Sequence, residues 1–300
     1  MKKVALEAIN EQIKSNPKEL VDACEKEYND QITELASLVM SEQSQRPVIL
    51  LSGPSGSGKT TTALKLEAIL DNVGLETHTI SMDNYFTPLK IEEGSDLESP
   101  ERMDIELLQS HIVKIANCEQ VEIPLFSFKT QSVNGYRPLK RKNNELIILE
   151  GIHALNPDVT GYNDNFTQRV FVGIDSVVEA KDGVTLESSK LRLIRRLVRD
   201  LNYRGRSFEE TLKSFERVKN GTKNYVMPYK RRASFCINSF LDYELCVFKN
   251  IVLNGFEISH TETDRFGICE ALQQAEGMSD EIVPADSLIR EFIGGSIYSY

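Results

Sequence analysis

A chain of 300 residues with 40% hydrophobic content can bury one large core, or one core with a small appendage. Its formal net charge of −10 makes the surface as a whole repel nucleic acid and anionic membranes, so neither is an expected partner. The five cysteines (Cys24, Cys118, Cys236, Cys246 and Cys269) are far apart and form no C-x-x-C pair, which suits reduced thiols better than a disulfide framework or a zinc site. Together with the absence of an 18-residue apolar run, and with Glu7 and Glu11 interrupting any signal-peptide core, this predicts a cytoplasmic protein.

Residues 1–45 read as a helical segment. Asn16 can cap a helix with Pro17 at its first position, and Leu20, Val21, Cys24, Tyr28, Ile32, Leu35 and Leu38 recur at three- and four-residue spacing. Such a stripe is expected to pack on the neighbouring domain. A partner-binding or dimerising helix is the alternative, so a homo-oligomer stays open.

At Val48 the pattern changes to strands alternating with helices. The strands are expected at Val48–Ser52, Thr77–Met82, Glu145–Glu150 and Arg169–Gly173, and the helices near Lys59–Asp71, Glu101–Ala116 and Ser188–Leu201. This alternation implies an α/β fold, a parallel sheet with helices on both faces and the ligand at the carboxyl ends of the strands. The main domain spans 46–240. Within it, the proline- and glycine-punctuated stretch at about 83–141 reads as an acceptor-side insertion and 186–206 as a lid. Residues 241–300 read as a mostly helical extension.

Between the first strand and helix stands Gly53-Pro54-Ser55-Gly56-Ser57-Gly58-Lys59-Thr60, the pattern of a phosphate-cradling loop. Its glycines let backbone N–H groups approach phosphate oxygens at the positive end of the next helix. Gly53, Ser55, Gly56, Ser57, Gly58, Lys59, Thr60 and Thr61 are the expected nucleotide contacts. Lys59 reaches the β- and γ-phosphates, and the Thr60 hydroxyl ligates Mg²⁺.

Other chemistry-bearing residues follow the strand ends. Asp83, in Ser81-Met82-Asp83-Asn84-Tyr85-Phe86, faces the γ-phosphate and is the candidate base for an alcohol acceptor, with a Mg²⁺-water ligand or a helix cap as alternatives. Glu150 closes the apolar run Leu146-Ile147-Ile148-Leu149, the place of a second Mg²⁺ acid. Arg192, Arg195, Arg196 and Arg199 share one side of a helix, with Leu193 and Leu197 turned to the core. Over the phosphate loop they clamp the charge of a moving phosphoryl group, and a solvated helix or a nucleic-acid contact are the competing readings. The knot Lys230-Arg231-Arg232 reads equally as surface charge or as a nucleotide-side contact, and the loop residue His153 receives no catalytic role.

In combination, Gly53–Thr61, Ser81–Phe86, Ser99-Pro100-Glu101-Arg102-Met103-Asp104, Glu150-Gly151-Ile152-His153-Ala154-Leu155 and the series Arg196, Arg199, Arg204-Gly205-Arg206 resemble the uridine kinase and phosphoribulokinase family of P-loop kinases. The tail Leu288–Ser296 resembles that of uridine-kinase-like bacterial nucleoside kinases. The resemblance implies that ATP is the donor, Mg²⁺ the metal and a nucleoside 5′-hydroxyl the acceptor. It makes Asp83 the base, assigns Thr60 and Glu150 to Mg²⁺, and puts Arg196, Arg199 and Arg204 in the lid. On the acceptor side it implies Tyr85, Arg199 and Arg204, and it aligns Glu98 with a ribose-binding aspartate and Phe126 and Gln131 with a tyrosine and a histidine near the base. A sugar-phosphate kinase and a weakly catalytic regulatory protein are the alternatives. A GTPase switch is disfavoured by the lack of N-K-x-D.

Overall fold

The computed structural model describes residues 2–88, 96, 98–127, 129–258 and 266–300. Residues 89–95, 97 and 128 of the expected insertion and 259–265 of the extension lie outside these. In chain order the elements are β1 (Lys2–Ala5), α1 (Leu6–Ser15), α2 (Pro17–Glu42), β2 (Val48–Ser52), α3 (Lys59–Asn72), β3 (Thr77–Ser81), α4 (Ile105–Ala116), β4 (Gln120–Ser127) and β5 (Ser132–Lys140). They continue with β6 (Leu146–Glu150), α5 (Pro157–Thr160), β7 (Thr167–Gly173), β8 (Ser176–Glu179), β9 (Thr185–Leu186), α6 (Ser188–Tyr203), α7 (Phe208–Gly221), β10 (Phe235–Asn238), α8 (Glu244–Ile258), α9 (Ile268–Gln274) and α10 (Arg290–Ile293).

The central sheet has five parallel strands in the order β10-β7-β2-β6-β3. β2 and β6 are buried along their whole length, as parallel strands covered on both faces must be. Because successive side chains alternate between faces, Ile49 and Leu51 join one apolar cluster with α2, α3, α6 and α8. Val48 and Leu50 join the other, with Leu108 and Ile112 of α4. The central strand β2 runs into the phosphate loop, and the register sets Ser81 of β3 beside Glu150 of β6. Three candidate groups therefore meet at one edge because three strands end there.

The N-terminal segment is not wholly helical. Lys2–Ala5 extends as a strand that pairs in parallel with β8, burying Val4; four residues are too few for an alternation to stand out in sequence. α2 begins as expected, Asn16 accepting a hydrogen bond from the Glu19 amide at 3.3 Å. Leu20, Val21, Cys24, Tyr28, Ile32 and Leu35 are buried in the core cluster that also holds Leu66 and Leu70 of α3. The Tyr28 hydroxyl meets Thr62 Oγ1 at 2.7 Å. The apolar stripe is therefore spent on the sheet's own core. The insertion contains a long antiparallel hairpin, β4–β5, which Pro124, Gly135 and Pro138 obscured in sequence.

Candidate active site

The phosphate loop has the backbone an anion cradle requires. Gly56 and Gly58 have φ of +78° and +82°, in the left-handed region that disfavours a side chain. A Cβ on Gly53 would lie 2.0 Å from the Val172 carbonyl oxygen and 2.8 Å from Ser57 Oγ. The Ser57 hydroxyl is buried and has no hydrogen-bond partner among the described residues. Lys59 and Thr60 open α3, so their amides lie at its positive end, and among the described residues Lys59 Nζ hydrogen-bonds only the Pro54 carbonyl, at 3.4 Å. Glycines with no room for a side chain, a free hydroxyl and a cation at a helix start fit a nucleoside triphosphate. Thr61, also expected to contact nucleotide, has a buried side chain whose Oγ1 lies 2.7 Å from Glu291 Oε2, which leaves its backbone amide to face phosphate.

The arginine helix α6 lies against this loop. Arg192 Nη1 donates to the Ser55 carbonyl at 3.0 Å and Arg196 Nη1 to Ser55 Oγ at 2.7 Å. Arg195 departs from the expected clamp. It is fully buried in an ion pair with Glu244 (2.6 Å and 3.0 Å) and donates to the carbonyls of Gly56 and Ser239. It joins loop, helix and sheet from within the core. The remaining arginines are gathered by Asp200, which lies 2.9 Å from Arg199 and 3.7 Å from Arg196 and Arg204. Burial works against the Asp200 carboxylate, but Arg199, Arg196 and Arg204 outweigh it and hold its pKa below the usual range. Burial lowers Arg192, Arg196 and Arg204 to about 10, so they stay charged at neutral pH.

Glu150 is buried at the end of β6, and desolvation pushes its pKa up to about 7 against the pull of Lys59, with Asp83 adding to the rise. A carboxyl there gains by meeting a cation, and its position beside Ser81 and the start of α3 fits Mg²⁺. Asp83 lies in the turn after β3, where the Ser81 hydroxyl accepts from its amide at 3.3 Å. Desolvation raises its pKa above the usual carboxylate range, against the pull of Lys59, Arg204, Arg102 and Arg199. The Asp83 side chain keeps contact with solvent.

On the acceptor side, Glu98 is 8% exposed, and its Oε2 has no partner among the described residues. Burial raises it to about 7, opposed by Arg196, Arg192 and Lys59. Gly221 is needed opposite: a Cβ there would come within 2.7 Å of the Glu98 side chain. The Phe126 ring meets Phe86 edge-on at 6.0 Å, and its amide donates to Asn84 Oδ1 at 3.4 Å. Gln131 accepts from Arg102 Nη2 at 3.4 Å, and that guanidinium stands 4.8 Å from the centre of the Phe86 ring. Tyr85 departs from the expected substrate contact. It is 1% exposed, with its hydroxyl 3.0 Å from His111 Nδ1 in the core, so it supports the Asp83 turn from behind.

Three residues that received no role in sequence border the site. Arg102 was visible within the Ser99–Asp104 motif, but its approach to Asp83 and Gln131 depends on the hairpin. His153 is buried against the Tyr225 ring, 6.2 Å between centres. Burial lowers its pKa to about 4, so it is neutral. Tyr225 lies in an irregular helical turn, Thr222–Val226, with five-residue hydrogen bonding, a rare geometry often found at functional sites.

Residues 48–245 match the Phosphoribulokinase / Uridine kinase family. Among individual relatives, a uridine kinase of Halobacterium salinarum is 28% identical over 193 residues, 62% of this chain and 77% of that protein. The inorganic pyrophosphatase TTM2 of Arabidopsis thaliana is also 28% identical, over 208 residues that make up 68% of this chain but only 28% of TTM2. A putative fructose transport system kinase from Silicibacter sp. superposes with a TM-score of 0.48 at 20% identity, covering 67% of this chain and 92% of that one. No helix among the described residues is long and apolar enough to cross a membrane. With a phosphate loop on the central strand, an arginine helix seated on it and a match across two thirds of its length, the chain belongs to the phosphoribulokinase/uridine kinase family of P-loop kinases.

Proposed function

We propose that the protein transfers the γ-phosphoryl group of ATP to the 5′-hydroxyl of a ribonucleoside of the uridine or cytidine type. The observation that carries this reading is the placement of Asp83 at the end of β3 within the field of Lys59, Arg204, Arg102 and Arg199. A carboxylate there can take a proton from an alcohol, and a raised affinity for the proton favours that transfer. As the acceptor oxygen bonds to the γ-phosphorus, the bond to the leaving ADP oxygen breaks and Asp83 receives the hydroxyl proton. Lys59, Arg196, Arg199 and Arg204 offset the charge on the group in transfer. The backbone of Gly53–Thr61 holds the remaining phosphates. Thr60 and Glu150 would hold Mg²⁺, which when bound neutralises phosphate oxygens.

Glu98 offers two carboxylate oxygens to a vicinal diol. Phe126 gives a planar base an aromatic surface, and Gln131 has both a donor and an acceptor for its edge. Arg102 favours a second reading. A buried guanidinium beside Gln131 and Asp83 suits an acceptor that carries its own anion, such as a sugar phosphate.

Turnover of ATP with Mg²⁺ across ribonucleosides, their 2′-deoxy forms and ribulose 5-phosphate separates the readings. The leading one predicts the highest kcat/KM for uridine or cytidine and a loss with the 2′-deoxy forms. Activity on the sugar phosphate alone would replace it with the second.

A further inference from the structure

The segment after Pro284 runs along the helix that carries the phosphate loop. A Cβ on Gly58 would lie 2.3 Å from Leu288 Cδ1, so the leucine occupies the space over the loop's last glycine. The Glu291 carboxylate accepts from Thr61 Oγ1 at 2.7 Å, and Asp286 pairs with Lys65 Nζ at 2.7 Å. Gly58, Thr61 and Lys65 are three and four residues apart, so these contacts follow one stripe of α3. Tyr300 returns to the same place, its hydroxyl 3.1 Å from Thr61 Oγ1.

The segment is also tied to the arginine helix. Asn202 donates to the Phe292 carbonyl at 3.0 Å, and the Arg195 guanidinium stands 5.5 Å from the centre of the Phe292 ring. Leu288, Ile289 and Phe292 are fully buried, so Glu291 is carried on an anchored turn. One short stretch thus holds both α3 and α6, the elements between which the phosphates of a nucleotide would lie.

We propose that Leu288–Tyr300 is a brace that sets the phosphate loop for nucleotide, with Glu291 as the positioning residue that holds the Thr61 hydroxyl. Glu291 acts through Thr61. The amides of the first turn of α3 must point at phosphate oxygens, and fixing the Thr61 side chain fixes that turn about its axis. A carboxylate near phosphate would by itself weaken binding, but the positive end of α3 offsets its charge.

The proposal rests on the nucleotide reading of the loop and not on the identity of the acceptor, so it is tested on the full chain with Mg²⁺ and a non-hydrolysable ATP analogue, without acceptor. Loss of a hydrogen bond to a charged group is worth roughly tenfold in binding, so Glu291→Ala should raise the dissociation constant by about that factor. Glu291→Gln, which keeps an acceptor oxygen, should stay within about threefold of the parent, since the bond survives without its charge. Adding Thr61→Val to Glu291→Ala should cost only about a further twofold, because the Glu291 bond is already gone and the Tyr300 contact alone remains to be lost. Tyr300→Phe, at an exposed side chain, should weaken binding about twofold and serves if Glu291→Ala does not fold. Unchanged binding in either variant would overturn the proposal. So would tighter binding in Glu291→Ala, which would make the segment a competitor of phosphate, or an equal loss in Glu291→Gln, which would make charge the cause. A wild-type chain that fails to bind the analogue at all would instead refute the nucleotide reading.

Discussion

Replacing Glu98 with glutamine should stabilise the protein while impairing its work. Burial raises the carboxyl from 4.5 to about 7, so the folded state holds the Glu98 proton more tightly than the unfolded chain does. The sign follows directly: ionisation of Glu98 costs the fold nothing below about pH 4.5, progressively more up to about pH 7, and a constant amount above it. At about 1.4 kcal/mol per pH unit, that cost reaches about 3 kcal/mol at pH 8. Lys59, Arg192 and Arg196, which oppose the rise, are already part of this figure. A neutral amide of similar shape avoids the cost. Urea unfolding at pH 5 and pH 8 should therefore show Glu98→Gln more stable than the parent at pH 8 by up to about 3 kcal/mol, with the gap mostly closed at pH 5. In turnover the same variant should lose about 10- to 100-fold in kcat/KM for ribonucleosides and little for 2′-deoxy compounds, because only the former use the second hydroxyl. A variant no more stable than the parent at pH 8 would refute the burial argument, and equal losses for both substrate classes would remove Glu98 from the diol.

Lys59→Ala should abolish turnover yet leave thermal unfolding nearly unchanged, since among the described residues its ammonium bonds a single carbonyl, at 3.4 Å; substantial residual turnover would refute its role. Glu244→Gln leaves Arg195 in the core without a counter-charge, at a cost of about 3–5 kcal/mol in urea unfolding. A loss under about 1 kcal/mol would mean that the pair is not what seats the arginine helix.

Strands β2 and β6 were legible because they are continuous apolar runs, whereas the edge strand β10, four residues with a half-exposed pattern, was not expected. Val48–Leu51 and Leu146–Leu149 can lie only where both faces are covered, and the phosphate loop fixes where the first run leads. Local pattern also located Asn16 and Pro17 at the start of α2. What it could not reach was long-range pairing. Helical spacing alone grouped Arg195 with its neighbours, whereas Glu244, 49 residues later, takes it into the core. The partner of the Thr61 hydroxyl, Glu291, lies 230 residues on and could not be read from the loop. The Tyr85 side chain turns to His111 for the same reason: a polar group in a core must find a partner, and the partner lies on α4.

The central claim is that Asp83 takes the proton of an acceptor hydroxyl during transfer from ATP. Its most direct test is Asp83→Asn, with kcat measured on uridine and nucleotide affinity measured by calorimetry on the same preparation. The account predicts a fall in kcat of roughly 10²- to 10⁴-fold, the usual contribution of a general base, with ATP binding within a few-fold of the parent. A kcat close to the parent's, or a loss confined to ATP or Mg²⁺ affinity, would contradict it and make Asp83 part of the metal site.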